Sequence, residues 1–185
     1  MEIRISQELY TILLYARDEA MRTGSYAITA DHLLLGLLRH EDNAACLLMK
    51  EAGMSLPELK RHVDACTFKE SSVPYDMSDR MAVGRSAQNV INLSAYEALK
   101  AGTGEVSSLH LLLALSLTSG TATASYFSDS GVSYGGLVAI LEKHGWRETV
   151  QPSASDEEDA KKAIETQMRS MVVFTYPSGD DKIPS

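Results

Sequence analysis

An all-α fold is predicted for this chain: two tandem copies of a four-helix repeat, eight helices in all, followed by a helical and then extended C-terminal tail. Three observations carry the prediction. The 185-residue sequence repeats itself without gaps at a spacing of 78 positions. Its apolar residues recur at helical intervals between capping residues and glycine stops. Its composition, 44% hydrophobic and 23% charged, suits a globular domain with one modest core and excludes wholesale disorder.

Shifted by 78, Glu19-Ala20 falls on Glu97-Ala98, Gly24 on Gly102, and His32-Leu33-Leu34-Leu35 on His110-Leu111-Leu112-Leu113. Leu37 then meets Leu115, Gly53 meets Gly131, Ser55 meets Ser133 and Leu59 meets Leu137. That gapless order marks a tandem duplication. Repeat one is expected over about residues 3–66, a linker over 67–85 and repeat two over about 86–145, together one domain spanning 1–149. A half of about 60 residues has too little interior to stand comfortably alone, so the two should pack as one unit.

In repeat one, Leu9, Ile12, Leu13, Ala16 and Ala20 form one stripe, and the first helix stops near Gly24. Thr29 is placed to cap a second helix over residues 31–38, apolar almost all round and therefore buried. Asn43 caps a third helix that ends at Gly53. Ser55, Pro57 and Glu58 then read as a capping box with proline in the first turn, opening a fourth helix through about Ala65. Repeat two carries the same punctuation: a helix to Lys100, then Gly102, Ser107 as N-cap and a helix from Leu109 to Leu117. A third helix ends at Ser130 before Gly131, and a last one runs from Ser133 to His144.

The linker holds Pro74, several serines and mixed charge, and residues 150–155 form a second linker. The tail, residues 150–185, then opens at Ser155-Asp156-Glu157-Glu158, which reads as the capping box of a helix over about 155–171. Ala160, Ala163, Ile164, Met168 and Met171 share its apolar face. Residues 171–176 are β-prone, and 177–185 read as frayed. Ala160, Ile164, Met168 and residues 172–174 are expected to pack on the module, their own or a neighbour's, so self-association through residues 151–185 is one expectation.

Seventeen Lys+Arg against 25 Asp+Glu give a net charge of −8, which argues against a nucleic-acid or anionic-membrane partner. Cys46 and Cys66, twenty residues apart with no CxxC, read as reduced thiols rather than a zinc or disulfide framework, which points to the cytoplasm. The longest apolar run near the N-terminus, residues 12–16, follows no basic leader, and no stretch approaches the roughly 18 apolar residues of a membrane span.

Residues 29–38, Thr-Ala-Asp-His-Leu-Leu-Leu-Gly-Leu-Leu, resemble the T-x-E-H-L-L-L-G-L-L signature of the Clp amino-terminal, or Clp repeat, domain family. Ala16-Arg17-Asp18-Glu19-Ala20 is similar to the family's A-x-x-E-A segment, and residues 107–114 look like a weaker second copy of the signature. The resemblance spans about residues 3–145. It implies two four-helix repeats packed face to face about a pseudo-twofold axis, with no catalytic activity of their own. In the family this domain precedes the AAA+ modules of the ClpA, ClpB and ClpC types of Hsp100 unfoldase and docks adaptors and substrates.

A P-loop, G-x-x-x-x-G-K-S/T, is missing: Gly102-Thr103-Gly104-Glu105 is the nearest glycine cluster and no Lys-Ser/Thr follows it. The expected function is a non-enzymatic protein-interaction module without metal or cofactor. Its expected partners are Clp ATPase or protease subunits, adaptors or substrate proteins. The alternatives are an N-terminal fragment of an ATP-dependent unfoldase and a phosphoarginine-type ligand-binding domain. The capped tail, which leads into no ATPase motif, favours a complete small protein.

Few side chains stand out as candidate sites. Thr29 with His32, and Ser107 with His110, read as structural signatures in which each imidazole bonds locally at a helix start; metal binding would need further converging ligands. His40, His62 and His144 are expected to be exposed. Asp31 is either favourable charge at a helix N-terminus or, as the ClpC resemblance implies, an acid that binds phosphoarginine. The second position is Leu109, which cannot accept a hydrogen bond. Repeat two carries six charged residues between Ser86 and His144, against fourteen between Gln7 and Val63. Its Tyr126, Phe127 and Tyr134 are therefore candidates for a partner-docking face or one covered by the tail; the other reading is simple drift of a solvated surface.

Overall fold

In the computed structural model, which describes residues 2–69, 71–171 and 174–176, the chain runs through one order of elements twice. The first pass is β1 (Arg4–Ile5), α1 (Gln7–Arg22), β2 (Ala27–Ile28), α2 (Ala30–His40), α3 (Ala44–Glu51) and α4 (Leu56–Thr67). The second is β3 (Ala82–Val83), α5 (Arg85–Lys100), β4 (Glu105–Val106), α6 (Ser108–Leu117), α7 (Ala122–Asp129) and α8 (Tyr134–Lys143). Each element of the second pass starts 78 residues after its counterpart. The tail contributes α9 (Ala154–Ser170).

The two halves are joined by exchange. β1 pairs in parallel with β4, Arg4 opposite Glu105, and β2 pairs in parallel with β3, Ala27 opposite Ala82. These are the same register under the 78-residue shift, so each half's first strand lies against the other half's second. Caps are exchanged in the same way. The Ala30 amide that starts α2 donates to Ser86 Oγ at 3.0 Å, and the Ser108 amide that starts α6 donates to Glu8 Oε2 at 3.0 Å. Ser86 and Glu8 occupy equivalent positions in α5 and α1. The first amides of a helix have no partner inside it, and here each half supplies what the other lacks.

Helix starts follow the caps read from sequence. Asn43, Ser55 and Ser133 each accept the amide three residues on. Thr29 with His32 and Ser107 with His110 form full capping boxes. α2 is buried nearly all round, with Leu33, Leu34, Leu35 and Leu37 at most 1% exposed. It approaches α1 at Gly36, where a Cβ would sit 2.6 Å from the Ala16 nitrogen and the Ile12 carbonyl oxygen.

Three local expectations are corrected. α9 is capped by Ser153 rather than Ser155: the Asp156 amide donates to Ser153 Oγ at 3.1 Å and Asp156 Oδ2 accepts the Ser153 amide at 2.9 Å, which closes a box two residues earlier. The linker is not featureless, because a 3-10 turn over Tyr75–Arg80 lies between buried Val73 and Met81. His144 is exposed, but His40 and His62 are half-buried; the His62 ring packs 5.6 Å from the Tyr126 ring across the junction of the halves.

The tail lies on its own module. Ala160, Ile164, Met168, Met171 and Phe174 are buried in the common core, with α9 against α5 and β1. Residues 172 and 173, expected to pack with them, lie outside the described residues, as do the residues 177–185 read as frayed.

Candidate functional site

The junction of the halves opens a crevice of about 390 Å³ at the start of α2, lined by Ser25, Thr29, Asp31, His32, Cys66, Lys69, Ser86 and Thr121. It exists because the N-termini of α2 and α7, one from each half, meet there.

Asp31 sits between those two helix starts. Its Oδ1 accepts the Thr123 amide at 2.9 Å and the Thr123 hydroxyl at 2.7 Å, and its Oδ2 accepts the Ala122 amide at 3.1 Å. Thr121 Oγ1 takes the Ala124 amide at 2.9 Å. The opening turn of α7 is thus satisfied by an acid from the other half, a placement that a helix N-terminus favours electrostatically. With both oxygens bonded to α7, the Asp31 carboxylate acts as an inter-repeat cap, and a guanidinium would have to compete with those bonds. Leu109 is the equivalent residue in repeat two and packs, partly buried, against the core.

The signature histidines end up as local plugs. His32 Nδ1 accepts the Thr29 amide at 3.0 Å, so the proton resides on Nε2, 3.0 Å from Thr23 Oγ1. His110 Nδ1 accepts the Ser107 amide at 2.9 Å, and Ala101 stands where Thr23 would be. Burial lowers both imidazoles to about 4; Asp31 opposes the shift at His32, and Lys69 and Arg22 reinforce it. Both rings are neutral at pH 7. Among the described residues no cluster of three His, Cys, Asp or Glu is arranged to hold a metal ion.

The aromatic candidates do not form one exposed face. Phe127 is 3% exposed, a core residue that a partner cannot reach. Half-buried Tyr126 points its hydroxyl toward the Ser55 carbonyl, 3.5 Å away across the junction. Tyr134, also half-buried, lies inside repeat two: its hydroxyl donates to Glu97 Oε2 at 3.0 Å and accepts from Lys100 Nζ at 2.9 Å. The tail covers α5 and β1 rather than the α7–α8 surface.

Glu97 is 1% exposed and pairs with Lys100 at 2.9 Å. Burial alone would lower the Lys100 ammonium, but its bonds to Tyr134 and Glu97 hold it above the ordinary range. In repeat one, Glu19 is 4% exposed and binds Arg22, whose Nη2 also reaches Asp64 Oδ1 at 2.6 Å; Arg39 approaches Glu19 at 3.7 Å. The shared Glu-Ala pair of the repeat thus marks two buried acids, each tied to a cation one turn on. Glu8 and Ser86, the exchanged caps, drew no attention in the sequence. Aligning the halves puts them at one position, where a polar residue recurs in an otherwise unlike context.

No described helix is long and apolar enough to cross a membrane. Residues 4–129 match the family model of the Clp repeat (R) N-terminal domain. The chain is 27% identical over 158 residues to the negative regulator of genetic competence ClpC/MecB of Bacillus subtilis, which covers 85% of this chain and 19% of that protein. It is 27% identical over 130 residues to the chaperone protein ClpB of Oceanobacillus iheyensis, covering 70% of this chain and 16% of that one. The chain therefore spans less than a fifth of these relatives. Its fold is similar to the N-terminal domain of the caseinolytic-protease-associated chaperone ClpD from Arabidopsis thaliana. The TM-score is 0.59 at 16% identity, over 76% of this chain and 96% of that one.

Proposed function

Because the chain belongs to the Clp repeat N-terminal domain family, we propose that it serves as a non-catalytic protein-interaction module of a Clp chaperone or protease system, binding Clp subunits, adaptors or substrate proteins. The observation that carries this reading is where the match falls. The family match runs from β1 to the end of α7, and the ClpC and ClpB relatives are matched over less than a fifth of their lengths. Side-chain chemistry agrees, since the polar residues singled out in the sequence are engaged at helix starts. Asp31 caps α7 and both histidines close helix starts. This favours a recognition role over a small-ligand site for phosphoarginine.

Surface plasmon resonance of the immobilised chain against a purified ClpC- or ClpB-type ATPase, a Clp protease subunit and unfolded casein tests the reading. Saturable binding to at least one, with no ATP hydrolysis by the chain alone, is the expected result. Absence of binding to all three overturns it. The small share of the relatives that is matched also supports a second reading, the recognition end of a longer ATPase; coding sequence past residue 185 would then encode the phosphate-binding motif G-x-x-x-x-G-K-S/T.

A further inference from the structure

The tail meets the module at two pairs of main-chain groups, and the pairs are equivalent. Ile5 N donates to Gln167 Oε1 at 2.7 Å, and Ile3 O accepts from Gln167 Nε2 at 2.9 Å. Seventy-eight residues on, Val83 N donates to Thr175 O at 3.2 Å, and Met81 O accepts from Thr175 N at 2.7 Å. At β3 the occupant is a real strand residue, since Thr175 bridges Ala82 in parallel. At β1 it is one side-chain amide, presenting the same acceptor and donor as a peptide group. The outer edge of β1 and that of β3 are therefore both filled from the tail.

Unpaired N–H and C=O groups on a strand edge are a template for another chain, and bonds made to them do not depend on the sequence of the strand that arrives. Apolar contact supplies the rest: Ile164 and Met168 are fully buried, Ala160 and Phe174 nearly so, and beneath them Ile3 and Met81 are at most 1% exposed. α9 packs chiefly on α5 and β1. The strand contact is a single-residue bridge, and residues 151–153 join α9 to the module with little burial.

We propose that the outer edges of β1 and β3, together with α5, are a docking site for a partner protein's segment that brings an amphipathic helix followed by an extended stretch. Residues 154–171 and 174–176 are its resident occupant and yield to the partner. The proposal deepens the reading of the chain as an interaction module by naming the kind of segment it takes; its test uses no Clp protein, so either can fail without the other.

The probe is a fluorescent synthetic peptide of residues 154–176, titrated into the full-length chain and into the full-length Ile164→Asp/Met168→Asp variant. A site filled by its own tail is competent only in the fraction of molecules whose tail is off, so the variant should bind at least about tenfold more tightly than the unaltered chain. A peptide carrying Gln167→Ala and Thr175→Pro should lose that binding. Equal binding to both chains, or none to a variant that still melts cooperatively, overturns the proposal. Where the variant does not fold, hydrogen exchange on the unaltered chain decides. Amides of α9, Ile5 and Val83 exchanging ahead of those in α1 and α2 support a detachable cover, and exchange only together with them refutes it.

Discussion

Repeat one and repeat two solve one packing problem with different side chains. Among the groups buried on both sides of the shift, Glu19 and Glu97, His32 and His110, and the leucine row recur. Where a residue faces the other half, it diverges. Asp31 caps α7 while Leu109 packs as an apolar side chain, and Glu8 stands opposite Ser86. The difference teaches that the fold's internal symmetry is a property of the core and the strand exchange. Contacts between halves need only be satisfied once each, so their two ends are free to drift apart.

Breaking the two buried acids tests this most severely. Glu97→Ala takes the buried partner from Lys100, whose side chain is only 15% exposed and keeps the Tyr134 hydroxyl and Glu148 at 3.5 Å, and should cost about 3 kcal/mol in urea unfolding. Glu19→Ala leaves Arg22 and Arg39 at 38% and 44% exposed, able to turn to water, and should cost about 1–2 kcal/mol. Equal costs would show that the two nodes do not differ as their exposure says.

Acid is the next largest lever. Each signature imidazole titrates near 4 when folded and near 6.5 when unfolded, so the unfolded chain binds more protons between those values. The contribution is fully present above pH 6.5 and is lost as pH falls toward 4, at up to about 1.4 kcal/mol per pH unit for each ring. Chemical denaturation at pH steps from 7.5 to 4.5 checks the slope. His32→Gln or His110→Gln should remove about half of the histidine share, and an unchanged slope in either variant would show that its ring does not carry it.

Gly36→Ala should destabilise by about 1–3 kcal/mol, because α2 must back away from the α1 backbone. Ala114→Gly, in repeat two where alanine already fits, should cost only about 1 kcal/mol, read as a shift in melting temperature. The most local effect is at the junction: Asp31→Ala removes the cap of α7 and should cost about 1 kcal/mol, with faster amide exchange at Ala122 and Thr123. Leu109→Ala, lacking any such bond, should leave exchange in α7 unchanged.

By itself the sequence determined the helices, their order and the repeat. The reasons are local: apolar period, capping side chains such as Asn43 and Ser133, and glycine stops act within a turn or two of the residue that carries them. It also marked His32 and His110 as helix-start residues, since their partners lie three positions away. Only the tertiary structure decided which groups meet across the chain. Two-residue strands such as β1 and β4 leave no periodic trace, and their pairing joins residues about a hundred positions apart. Phe127 was legible as aromatic but not as core, because burial depends on what packs against a helix as well as on the helix itself. Asp31 and Gln167 show the same limit most clearly. A carboxylate or an amide has no fixed role until folding brings it an unpaired main-chain group, and those groups belong to α7 and β1, 91 and 162 residues away.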